Sequence, residues 1–183
     1  MLGRGMAGKR KVARAAASRD CILIGIGANL PSAAHGPPRA TCAAALAALA
    51  ARGLRVLRRS RWYESAPVPP SDQPWYVNGV ARVETDLPPE GLLELLHNIE
   101  RDFGRERREI NAARSIDLDL LAYGDRVETG PPALPHPRLH ERAFVLLPLA
   151  EVAPDWRHPA TGRSVAALIA ALAPEQVARP LAD

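Results

Sequence analysis

Arg114-Ser115-Ile116-Asp117-Leu118-Asp119-Leu120-Leu121 alternates polar and apolar residues from Ser115 to Leu120, the period of a half-buried β-strand. Successive side chains of a strand point to opposite faces, so Ile116, Leu118 and Leu120 are expected on the core side. Asp117 and Asp119 then stand together on the other face, roughly 7 Å apart at their Cα atoms. Two carboxylates that close repel each other, so a compensating cation is expected beside them. Oxygen ligands projecting into an open cleft suit Mg²⁺, which keeps several waters and completes its octahedron with substrate phosphates. Two solvated aspartates on an edge strand would show the same alternation, so the surrounding residues must decide between the readings.

Those residues are rich in arginine. Upstream lie Glu100 and the run Gly104-Arg105-Glu106-Arg107-Arg108, and Arg114 immediately precedes the strand. The guanidinium is a rigid fork of donors that stays charged and matches phosphate oxygens. Several arginines converging on a carboxylate pair point to a polyphosphate, neutralised from both sides. Downstream, Leu134-Pro135-His136-Pro137-Arg138-Leu139-His140-Glu141-Arg142-Ala143-Phe144 adds further donors and a planar aromatic. His136 and His140 have the i, i+4 spacing of a zinc pair, but the flanking prolines disfavour a helix and no third ligand is evident.

Working outward, residues 21–26 form an apolar run ending in glycine, a first strand. Residues 41–52 read as an alanine- and leucine-rich helix, capped by Thr41 or a neighbour and stopped by Gly53. A second strand is expected over 54–63 and a third over 75–84. The four prolines in residues 65–74 bar that stretch from a strand interior. Pro88 and Pro89 open a second helix reaching about Phe103, with Leu92, Leu93, Leu95, Leu96 and Ile99 on its buried face. The charged residues 104–113 read as a mobile surface loop before the aspartate strand. A helix near residues 141–151 follows. The order βαββαβ predicts an α+β fold with a ferredoxin-like core, an antiparallel sheet with helices packed on its faces.

The chain has 183 residues, 47% of them hydrophobic, enough for one domain with a real core. No apolar run approaches the roughly 20 residues that span a bilayer, so no membrane is expected. Cys21 and Cys42 lack metal or redox spacing and are expected to be reduced thiols in a cytoplasmic protein. The net charge of +4 is misleading, because residues 1–20 hold six Lys or Arg against Asp20, a net +5, and the other 163 residues sum to −1. Residues 1–20 are therefore expected to be a basic, disordered extension and residues 21–183 a single domain.

Six blocks, in order, resemble the 6-hydroxymethyl-7,8-dihydropterin pyrophosphokinase (HPPK) family. They are Gly27-Ala28-Asn29-Leu30, Tyr63-Glu64-Ser65-Ala66-Pro67, Asp72-Gln73-Pro74-Trp75-Tyr76-Val77-Asn78, Ile99-Glu100 with Gly104-Arg105, Arg114 to Asp119, and Pro135-His136-Pro137-Arg138 through Arg142-Ala143-Phe144-Val145. The resemblance implies an ATP-dependent enzyme of folate biosynthesis that uses two Mg²⁺ ions held by Asp117 and Asp119. It implies that Arg105 and Arg114 contact phosphate or shape the catalytic loop, and that Glu100, His136 and Arg142 serve the nucleotide site. It further implies that Asn78 and the backbone of Ser65, Ala66 and Val68 read the pterin edge, while Tyr76 and Phe144 sandwich its faces. The tryptophan that some members carry in the catalytic loop is absent between Gly104 and Arg114.

The chemistry of these residue types agrees. A pterin is flat, with donors and acceptors alternating along its edge; aromatic rings recognise its faces and an asparagine amide can match its edge. The expected partners are two small molecules, ATP and the hydroxymethyl dihydropterin, acting on a monomer. Two other classes stay open. A nucleotidyltransferase can place the same aspartate pair on such a sheet and would release pyrophosphate instead of AMP. An RNA-binding module of this topology would need exposed aromatics on central strands and a basic sheet face; the −1 balance of residues 21–183 and the aspartates count against nucleic acid. The Gly25-Ile26-Gly27 turn fails a dinucleotide fingerprint at Leu30.

Overall fold

The computed structural model describes residues 21–104 and 114–182. The basic extension, the charged loop with Arg105, and Asp183 lie outside the described residues, as do the expectations attached to them.

Strand β1 (Ile22–Ala28) is followed by helix α1 (Pro38–Ala51), β2 (Arg55–Arg59), β3 (Tyr63–Ser65), β4 (Tyr76–Glu84), α2 (Pro89–Asp102) and β5 (Asp117–Tyr123). A 3₁₀ turn (Leu139–Glu141) then leads into α3 (Ala143–Val152), α4 (Val165–Ile169) and β6 (Ala178–Pro180). The strands form one sheet in the order β5-β1-β4-β3-β6, with β2 also pairing β4. Every strand pairing is antiparallel. This is the α+β arrangement expected from the sequence.

The alternation of β5 resolves as predicted. Leu118 and Leu120 join Ile116 in a core shared with Ile22, Ile24 and Ile26 of β1 and with the buried faces of α1 and α2. Leu92, Leu96 and Ile99 of α2 are fully buried, the i, i+4, i+7 stripe of an amphipathic helix. In α1 the buried residues are Thr41, Cys42, Ala45 and Leu49. Small side chains dominate that face and let the helix axis approach the sheet closely. The opposite sheet face carries Leu23, Val80 and Leu121 and packs on Val145, Leu146 and Leu149 of α3. The late helix therefore covers part of the second face.

Three boundaries differ from the sequence expectation. Helix α1 begins at Pro38, three residues early, with Pro37 as its N-cap and no side-chain cap bond. The fixed φ of proline suits a helix start, and Thr41 Oγ1 instead donates back to the Gly36 and Pro37 carbonyls at 3.3 Å. The strand expected over 54–63 is broken into β2 and β3. Ser60 takes over the Val80 amide with its hydroxyl (3.0 Å), and Trp62 packs so tightly over Gly79 that a Cβ there would lie 2.7 Å from its ring. Helix α3 starts at Ala143 because the chain is still in the 3₁₀ turn at Glu141. Helix α4 and strand β6 carried no recognised signal.

Candidate active site

Helix α3 covers only part of its sheet face. Beyond Leu23, Val80 and Leu121 the same face opens into a cavity of about 390 Å³, a volume suited to small ligands. Its floor follows from strand register. Asp117 pairs across with Gly27, and Gly27 with Asn78; Asp119 pairs with Gly25, and Gly25 with Val80. Residues directly opposite share a face, so the two glycines form a side-chain-free strip between the carboxylates and Asn78. At a strand spacing of about 4.8 Å, Asp117 and Asn78 stand roughly 10 Å apart. A Cβ on Gly27 would come within 2.9 Å of Asn78 Oδ1, so any other residue there displaces that amide.

The walls are the proline-rich loop after β3 and the start of α3. Ser65, Ala66, Val68, Tyr76, Asn78 and Phe144 all line the cavity, together with Arg114, Asp117, Asp119 and Arg142. Asn78 Nδ2 donates to Ser65 Oγ at 2.8 Å, both side chains buried. The amide is thereby held in one orientation. Arg142 lies over the Phe144 ring at 5.4 Å from its centroid. Arg114 Nη1 meets Asp117 Oδ2 at 3.0 Å, linking the expected phosphate-binding group to the carboxylate pair.

The electrostatics favour an anion entering from the Arg142 side. Burial, reinforced by Arg138, weakens the hold of Arg142 on its proton, while Asp119 and Asp117 act the other way. The carboxylates are thus the local counter-charge for a cation that is otherwise short of water. Oxygen donors from two aspartates fit Mg²⁺, with water and substrate oxygens supplying the rest of the shell. Among the described residues no group of three or more His, Cys, Asp or Glu side chains gathers to hold a metal without such help. His140 does not pair with His136; its ring meets His158 edge-on at 5.8 Å.

Two residues carried by the resemblance sit outside the cavity wall. His136 is half-buried beside it, held by its amide to the Leu121 carbonyl at 2.8 Å, with Nδ1 accepting from the Arg138 amide at 3.2 Å. Glu100 is buried to 1% exposure on α2. It accepts the Leu118 amide at 2.8 Å, on the sheet-edge strand and between the two aspartates. It faces the interior.

Asn29 and Gln73 are the residues whose importance the sequence reading missed. Asn29, 2% exposed, donates through Nδ2 to Gln73 Oε1 and the Pro74 carbonyl, both at 3.2 Å. Its Oδ1 accepts the Arg114 amide at 2.8 Å, and Tyr76 donates its hydroxyl to Gln73 Oε1 at 3.0 Å. One amide therefore ties together the end of β1, the loop leading to Tyr76, and the segment entering β5. A polar residue just after a buried strand was the available signal, but it names no partner.

Two histidines, His136 half-buried and His158 buried, give the fold a predictable acid sensitivity. Burial, with Arg142 adding to it, pushes His136 below its ordinary value of 6.5, and burial with His140 does the same for His158. In the unfolded chain both take up protons near 6.5, which the folded protein resists. Stability is then fully present above that pH and declines as pH falls below it. The melting temperature is expected to be level from about pH 8 to 7 and to drop between about 6.5 and 5. His158→Asn should make that drop shallower, and an identical slope would show that His158 does not contribute.

Comparison with known proteins agrees with this geometry. The family described as 7,8-dihydro-6-hydroxymethylpterin-pyrophosphokinase (HPPK) matches residues 23–154. The chain is 42% identical over 149 residues to the 2-amino-4-hydroxy-6-hydroxymethyldihydropteridine pyrophosphokinase of Synechocystis sp., covering 80% of this chain and 73% of that protein. It is 39% identical over 160 residues to the protein of the same name from Pseudomonas aeruginosa, covering 86% and 95%. The crystal structure of Plasmodium falciparum HPPK-DHPS superposes with a TM-score of 0.62 at 14% identity, over 82% of this chain and 44% of that one; this likeness speaks to the fold alone. With the family match spanning most of the chain and these identities behind it, the protein belongs to the 7,8-dihydro-6-hydroxymethylpterin-pyrophosphokinase family.

Proposed function

We propose that the protein transfers pyrophosphate from ATP to the hydroxymethyl group of 6-hydroxymethyl-7,8-dihydropterin, releasing AMP, in folate biosynthesis. The observation that carries this reading is the meeting, in one cavity, of the Asp117–Asp119 pair with the aromatic pair Tyr76 and Phe144. The rings stack on the pterin faces, and the Asn78 amide, held by Ser65, reads its edge beside the backbone of Ser65, Ala66 and Val68. Arg142 and Arg114 neutralise the polyphosphate, with Arg105 joining them and His136 bordering the nucleotide. Asp117 and Asp119 are the residues that would hold two Mg²⁺ ions, which would supply Lewis-acid neutralisation of charge developing on the phosphoryl oxygens.

In the reaction the hydroxymethyl oxygen bonds to the β-phosphorus and loses its proton, while the bond from that phosphorus to the α-phosphate oxygen breaks and AMP leaves. Most of the chain's contribution is positioning and electrostatics, as in other phosphoryl transfers. The family likeness assigns Glu100 to the nucleotide. Its burial and its bond to the Leu118 amide support a different role, in which it sets the strand between the two metal ligands. We read the enzyme as a cytoplasmic monomer acting on small molecules.

Incubation with ATP, Mg²⁺ and the hydroxymethyl dihydropterin should yield AMP in proportion to pterin consumed. Release of pyrophosphate in its place would make the protein a nucleotidyltransferase. The RNA-binding alternative is disfavoured because helices pack on both sheet faces.

A further inference from the structure

The last described stretch of the chain lies beyond residue 154, where the family match ends, yet it touches both walls of the cavity. Helix α3 has no side-chain cap from its own N-cap residue, Arg142. The missing cap comes from Gln176. Its Oε1 accepts the Ala143 amide at 2.8 Å, and its Nε2 donates to the Glu141 carbonyl at 2.6 Å. These two backbone groups flank Arg142, so one planar side-chain amide brackets the residue that carries the cavity's guanidinium. Phe144, the stacking ring, follows two positions later.

The residues after Gln176 hold the opposite wall. The Val177 carbonyl accepts the Ala66 amide at 3.2 Å. Strand β6 then pairs Ala178 with Ser65 and Arg179 with Glu64. Arg179 forms an ion pair with Glu64, and its guanidinium lies 5.5 Å over the ring of Trp75, the neighbour of Tyr76. Four consecutive residues therefore join the start of α3, with Arg142 and Phe144, to the end of β3 at Ser65 and to the loop that runs from Ala66 towards Tyr76.

We propose that Gln176 is a positioning residue for substrate binding, its amide setting Arg142 and Phe144 at the spacing from Tyr76 that admits a flat heterocycle. This rests on the functional reading above. A purely structural role for Gln176 makes a different prediction, because the two halves of its amide do separable work. Gln176→Glu keeps an acceptor for the Ala143 amide and places a negative charge at a helix N-terminus, where it is favourable. The same change removes the donor to Glu141 and sets a carboxylate against that carbonyl, beside Arg142. Helix capping survives while the bracket is broken.

The test compares the full chain with Gln176→Glu, Gln176→Ala and, as a control, Glu175→Ala on the exposed neighbouring position. Melting temperature, pterin affinity by calorimetry, and KM and kcat for pterin are measured on each. Gln176→Glu is expected to melt close to the parent while binding pterin about 10-fold or more weakly, since small misplacements of positioning groups cost on that order. Gln176→Ala should weaken pterin binding similarly, and Glu175→Ala should match the parent. Unchanged pterin affinity in folded Gln176→Glu would overturn the proposal, as would a loss of kcat in both variants that tracks their folded fraction with KM unaltered. A parent protein that binds no pterin would overturn the functional reading itself.

Discussion

Asp119→Ala should lower turnover by a factor on the order of 10³, the scale of removing a group aimed at charge developing in the transition state. Asp119 faces Gly25 across the strands and lines the cavity, so alanine leaves a gap where an oxygen donor stood and one carboxylate to do the work of two. The fold should persist. The substitution keeps the strand backbone and the core side of β5, and it relieves the repulsion from Asp117 that the apo protein bears. Steady-state assay of AMP release at saturating Mg²⁺, paired with a thermal melt, checks both halves. Near-normal turnover would remove the aspartate pair from the chemistry, and a collapsed melting transition would make Asp119 a structural residue.

Asn29→Ala should damage stability and both substrate sites together. The change strips the partner from the Arg114 amide and from the Pro74 carbonyl in a place where Asn29 is 2% exposed. Leaving buried polar groups unsatisfied costs roughly 1 to 3 kcal/mol each, and water reaching the exposed Pro74 side should hold the total to about 3 kcal/mol. Function suffers because Gln73 loses the contact that fixes it against the Tyr76 hydroxyl, while Arg114, beside Asp117, gives up the bond at its amide and keeps those at its carbonyl, which accepts the Asn29 and Leu30 amides. The expected result is a lower denaturant midpoint with unchanged slope, and a raised KM for ATP and for pterin alike. Asn29→Asp, which retains an acceptor for the Arg114 amide but not the donor to the loop, should spare ATP binding more than pterin binding. A variant with normal stability and normal KM values would mean that the three segments hold their places without the junction.

How far the chain could be read locally is seen in β5 and α2. The alternation around Asp117 and Asp119 placed both carboxylates on one face, and the leucine spacing of residues 92–99 chose the buried stripe of the helix. Side-chain direction repeats every two residues in a strand and every 3.6 in a helix, so a short window contains the whole signal. The aspartate pair, the arginines around it and the ordered family blocks were legible for the same reason.

The rest depended on partners far away in the chain. Asn29 accepts from Arg114 across 85 positions, and Gln176 reaches Ala143 across 33; nothing in either residue's neighbourhood specifies the other. Glu100 reads as one more acidic residue near a helix end, and only packing turns it inward to the Leu118 amide between the aspartates. The glycines at 25 and 27 look like a turn until register sets them opposite Asp119 and Asp117. The break between β2 and β3 falls where Trp62 packs on Gly79 and the Ser60 hydroxyl takes the Val80 amide, contacts that only the paired strand supplies. By itself the sequence determined the strand that bears Asp117 and Asp119, the two principal helices with the faces they bury, and which groups carry the chemistry, since those follow from local period and residue type; α4, β6 and the break between β2 and β3 were outside its reach. Tertiary structure alone decided which amides hold those groups in place, because a hydrogen bond between distant segments exists only once the sheet has set their spacing.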